Sequence, residues 1–93
     1  MTISLTQSRL TAILVDEKEL PSDDLLQNLE STLQENPAFI MQGQKVSVRG
    51  TTNASGVTIC IQLPQSQRAI TKIPYAQKVF IAFLRKTFPH IGI

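Results

Sequence analysis

The chain has 93 residues, 42% of them hydrophobic and 17% charged, with a formal net charge of +2 and one cysteine. Such a chain reads as one folded domain burying about 60–65% of its unfolded surface, and it is too apolar for a disordered segment. The lone Cys60 excludes an intrachain disulfide framework, and no run approaches the ~20 apolar residues that span a bilayer.

Residues 3 to 15 allow two readings. As a helix they offer Leu10, Ala12, Ile13 and Leu14, but Glu17 and Lys18 break the next turn of the stripe. As strands they offer "RLTAILVD" paired with "TISLT" across Gln7-Ser8, and the strand reading is the one favoured here. The first twenty residues lack a basic stretch followed by an apolar one, so no secretory signal is expected.

A helix follows. Ser22 is a good N-cap, Asp23 and Asp24 occupy the first turn where the helix dipole favours anions, and Leu25, Leu26, Leu29 and Leu33 form an apolar stripe. Asn36-Pro37 ends it, because a residue before proline avoids the α region.

The middle of the chain alternates with period two. Val46 and Val48 alternate with Lys45, Ser47 and Arg49; Val57, Ile59, Ile61 and Leu63 alternate with Thr58, Cys60 and Gln62. The valines and isoleucines should be buried and Lys45, Arg49 and Gln62 exposed. The turn formers of "GTTNASG" between them predict an antiparallel hairpin with a loose loop.

The C-terminal segment reads as a second helix. Pro74 fits its first turn, and Phe88-Pro89 closes it. Ala76, Val79, Phe80, Phe83 and Leu84 make the main face, Ile81 and Phe88 widen it on one flank, and Lys78, Arg85 and Lys86 occupy the back.

Together these elements predict an α+β domain over residues 1–93, an antiparallel sheet of about four strands with two helices on one face. "LTAILV" and "VTICIQ" each precede an apolar-Pro pair, a helix and a second Pro. That pattern fits a ββα-ββα pseudo-repeat; the other reading is that proline brackets two unrelated helices.

Enzyme chemistry is poorly supplied. His90 is the single histidine and lies close to the end of the sequence, where a terminal surface position is expected. Cys60 falls on the outward side of its strand, without a base to activate it. One His and one Cys do not make a zinc site. Asp16, Glu17, Glu19, Asp23 and Asp24 crowd together, but their spacing is not that of an EF-hand and no glycine supplies its turn. "GTTNASG" lacks the Lys-Ser/Thr pair of a phosphate loop. No catalytic, cofactor-binding or metal-binding residue is assigned.

Charge is segregated. All seven acidic residues lie between Asp16 and Glu35, whereas Lys45, Arg49, Arg68, Lys72, Lys78, Arg85 and Lys86 fall in a second half without acids. Such a split suits an anionic partner, or attraction between halves or copies. The expectation is a small, cytoplasmic, non-enzymatic interaction module that docks another protein or a second copy of itself, without a membrane. Ile81, Phe88 and Arg85 are its candidate partner-binding residues, since aromatic residues and Arg are enriched at interfaces. The alternative is nucleic-acid binding through Lys45, Arg49, Arg68 and Lys72, although the outward strand face offers no aromatic residue for base stacking. A small enzyme using carboxylate or thiol chemistry is the further alternative.

Overall fold

The computed structural model describes residues 2–6, 8–15, 17–40 and 43–91. Strands β1 (Thr2–Thr6) and β2 (Arg9–Val15) are followed by helix α1 (Asp23–Gln34) and a 3-10 turn (Pro37–Phe39). Then come β3 (Ser47–Asn53), β4 (Gly56–Gln62), a short α2 (Gln67–Thr71), α3 (Ile73–Thr87) and a last 3-10 turn (Pro89–Ile91). The four strands form one antiparallel sheet in the order β1-β2-β4-β3. The chain is therefore α+β, and Thr2–Thr6 and Arg9–Val15 are strands rather than part of a helix, while Gln7 lies outside the described residues.

The alternation in sequence becomes the two faces of the sheet. Leu10, Ala12 and Leu14 of β2 and Val57, Ile59 and Ile61 of β4 are buried on one face, with Ala12 opposite Ile59 and Leu10 opposite Ile61. Leu29 and Leu33 of α1 and Ala76, Phe80 and Leu84 of α3 close that face into one core with Val46, Phe39 and Leu63. Phe39 also stacks on Tyr75, ring centroids 6.2 Å apart. The other face of the sheet carries Ser, Thr, Arg and Gln together with exposed Ile13 and Val15, and no described helix lies over it.

The helix ends follow their caps. Ser22 Oγ accepts a hydrogen bond from the Leu25 N–H at 3.3 Å, and Asn36 Oδ1 accepts one from the Ala38 N–H at 3.0 Å as α1 gives way to the 3-10 turn. Arg85 and Lys86 lie in the last turn of α3, where the dipole favours cations.

Three expectations need correction. The loop between β3 and β4 is not loose: strand pairing continues through Thr51, Thr52 and Asn53, and the turn is only Ala54-Ser55. Gly50 thus sits inside β3 opposite Ile59, where a Cβ would lie 2.8 Å from Leu20 Cδ2. Its hydrogen lets the segment entering α1 lie against the strand. The connection around Arg68 contains α2, capped by Ser66, whose Oγ accepts from the Ala69 N–H. Leu25 is 41% exposed, so the α1 stripe is narrower than four leucines. The second half also carries α2, which has no counterpart in the first.

Candidate interaction surface

The two edges of the sheet are treated differently. The Leu63 N–H donates to Ser8 O at 2.9 Å, which makes Ser8–Leu63 a hydrogen-bonded pair of the β2–β4 ladder. Counting along the ladder, the even residues of β2 bond to β4 and the odd ones to β1. Thr2, Ser4 and Thr6 of β1 are then engaged with β2, while the backbone groups of Ile3 and Leu5 point away from the sheet. The same parity turns Val48 and Gly50 of β3 outward at the opposite edge.

At the β3 edge α1 supplies partners. Glu30 Oε1 accepts a hydrogen bond from the Val48 N–H at 3.2 Å, and Gln34 Nε2 donates to Val46 O at 3.3 Å. At the β1 edge no described residue faces Ile3 or Leu5. The β1 sequence "TISLT" holds no charge and no proline, the usual means of blunting an edge. Leu5, on the helix side, is 43% exposed.

Helix α1 lies on β3 and α3 lies beside α1, both on the covered face of the sheet. The α1 flank of α3 carries Val79, Ala82, Phe83 and Lys86, which line a groove of about 600 Å³ with Leu25, Asn28 and Thr32. Ile81, about 100° round the helix from buried Phe80 in the other direction, sits on the flank of α3 away from that groove. It is half-buried, and Arg85 beyond it is exposed.

Phe88 does not belong to this flank. It is 5% exposed and part of the core. Its φ of −127° and ψ of 71° take it out of the helical spiral, so the angle read from the wheel does not apply to it.

The basic residues are dispersed. Arg49 stands on the open sheet face, where it lines a depression of about 390 Å³ with Arg9, Ser47, Cys60 and Gln62. Lys45 borders a different cleft with Gln34, Phe39 and Ile40, and Arg68 and Lys72 are exposed at the two ends of α2. The partner of Arg49 on the open face is Arg9, from the half of the chain that holds the acids. Its position in β2, two residues before Thr11 and four before Ile13, places it outward once the strand is recognised. Arg9 Nε donates to Gln62 Oε1 at 3.1 Å. The described residues of this face include no acidic side chain.

Groups capable of catalysis are kept apart. Cys60 is half-buried on the open face and accepts a hydrogen bond from Thr11 Oγ1 at 3.7 Å. His90 instead meets Glu17 Oε1 through its Nε2, tying the last 3-10 turn to the segment after β2. Among the described residues no three His, Cys, Asp or Glu side chains come together as a cation site. No described helix is long and apolar enough to cross a membrane.

Comparison with known proteins returns no family model, no curated protein and no solved structure that matches this chain.

Proposed function

We propose that this chain is a small non-enzymatic interaction module, which docks another protein chain or a second copy of itself along the β1 edge and a flank of α3. The observation that carries this reading is the asymmetry of the two edges. Glu30 holds the Val48 N–H of β3 and Gln34 the Val46 carbonyl just before it, while Ile3 and Leu5 present their groups without a described partner, beside an exposed apolar side chain. An unpaired strand edge is a template for strand addition, in which main-chain bonds supply affinity and alternate side chains supply specificity. Ile81 and Arg85, on the flank of α3 away from α1, would extend the contact onto the helix layer. The reading places the module in the cytoplasm, a reducing compartment that suits a lone free thiol.

The test is a photo-reactive amino acid at Thr6, irradiated in the expressing cell, with the same group at Ser55 in the distant turn as control. Adducts specific to position 6 and abolished by Leu5→Pro support edge docking. Equal labelling from both positions, or none, removes it.

A second reading has an observation of its own. Arg9 and Arg49 flank Cys60 and Gln62 on a sheet face without described acids, and anionic partners such as nucleic acid would be drawn there by salt-sensitive phosphate contacts. Titration with single- and double-stranded oligonucleotides at two salt concentrations decides it. Binding that weakens with salt and is lost in Arg9→Glu/Arg49→Glu favours it, and absence of binding at low salt ends it.

A further inference from the structure

We infer that β1 pairs with β1 of a second copy, antiparallel about a two-fold axis through Ser4, joining two four-stranded sheets into one of eight. This rests on the reading of β1 as a docking edge and names the occupant of that edge.

Three features of the strand select a copy of itself. The first is backbone parity. Ile3 and Leu5 are the residues whose N–H and C=O point outward, and they lie one position either side of Ser4. With the axis at Ser4, Ile3 of each copy faces Leu5 of the other, and each such pair exchanges two backbone hydrogen bonds. A register moved by one residue would set outward groups against inward ones.

The second is side-chain pattern. Ile3 and Leu5 both project to the helix side, so the symmetric register sets aliphatic against aliphatic twice and buries the exposed Leu5. Thr2 meets Thr6 and Ser4 meets Ser4 on the open face, where small hydroxyl side chains pack without burying a charge. The third is electrostatic. The strand is uncharged, so two positively charged copies meet through a neutral seam. At the other edge a pairing strand would have to displace Glu30 from the Val48 N–H and Gln34 from the Val46 carbonyl.

The symmetric register makes a demand that no general stickiness would meet. Ser4 lies in a non-hydrogen-bonded pair with its own copy, where Cα atoms stand about 4.5 Å apart, within the span a disulfide accepts. Thr6 lies two residues from the axis, so the two Thr6 Cα atoms are roughly 13 Å apart, beyond that span. We therefore expect Ser4→Cys, in a Cys60→Ser background, to oxidise to a covalent dimer, and Thr6→Cys to remain largely reduced. Mixing Thr2→Cys with Thr6→Cys should yield the heterodimer. Light scattering of the unmodified chain should give twice the 10.3 kDa of one copy as concentration rises. Leu5→Lys should weaken that association at least about tenfold while leaving the dilute melting temperature within a few degrees. Leu5→Pro, which removes only an outward N–H, provides a second variant if the lysine perturbs folding.

A monomeric mass at every concentration, or equal cross-linking at positions 4 and 6, overturns the symmetric dimer. Position-specific adducts of other mass from the Thr6 photo-probe would then show the edge occupied by a different chain. No specific adduct at all would remove both readings.

Discussion

The Glu30 carboxylate on α1 holds the N–H of Val48 on the outer edge of β3, at 3.2 Å, across a separation of 18 residues in sequence. One turn along, Gln34 reaches Val46 O, so the helix that fills the core with Leu29 and Leu33 also holds two backbone groups at the start of the β3 edge. Glu30→Ala should cost about 1–2 kcal/mol in denaturant unfolding, because a charged acceptor is lost from a half-buried donor. The Val48 amide should exchange faster in the variant. Unchanged exchange would mean that water or a neighbour already serves that group.

Two glycines should respond unequally to alanine. At Gly56 φ is 143° and a Cβ would meet Leu14 O at 2.2 Å, so Gly56→Ala should destabilise by about 3 kcal/mol or more, backbone having to move. At Gly50 the clash is with the tip of the partly exposed Leu20, which can swing aside. Gly50→Ala should cost no more than about 1 kcal/mol, and less still when Leu20→Ala accompanies it. Thermal melts of the three variants check the order.

Phe88 and Ile81 should part company under substitution. Phe88→Ala opens a cavity in the core and should cost about 3–5 kcal/mol, a large share of the 5–15 kcal/mol typical of a domain. Ile81→Ser, at a half-buried position, should cost about 1 kcal/mol and leave the fold intact. Melting measured at low concentration separates the two. Comparable losses from both would place Ile81 in the core as well.

Charge segregation should leave folding nearly untouched. Among the described residues the one contact between a carboxylate and a basic side chain is Glu17–His90, so neither Arg49 nor Lys72 has a described acid to lose. Arg49→Glu with Lys72→Glu should shift stability by no more than about 0.5 kcal/mol, with little dependence on salt, as for exposed charges generally. A marked, salt-sensitive loss would reveal attraction between the halves through space. Gel shifts on the same variant bear on nucleic-acid binding separately.

Sequence pattern carried the features that local physics decides. Period-two alternation placed Val57, Ile59 and Ile61 inside, and the Ser22 cap with its two aspartates marked the start of α1. It was less informative where tertiary partners decide. Thr51, Thr52 and Asn53 look like turn residues, yet pairing with β4 holds them in strand. α2 spans only five residues, too few for a helical period to declare itself. Phe88 was misplaced because a wheel assumes a helix that has ended by that residue. The edge partners Glu30 and Gln34 looked like ordinary solvent-facing helix residues. The apolar residues of β1 at issue, Ile3 and Leu5, gave no sign of lying at an edge until the strand order was known.

The strand order also governs how the chain can be made. The inner strand β2 finds its main partner, β4, about fifty positions later. A two-stranded hairpin is marginal in water on its own, so β1, β2 and α1 emerge with an apolar face and an inner strand edge uncovered. At roughly 5–20 residues per second, that half-built state lasts several seconds before Gly56–Gln62 arrives to close it. During that interval nascent chains of the same sequence would expose the β2 edge as well as β1, and the acidic excess of the first half would give such neighbours net charge of the same sign.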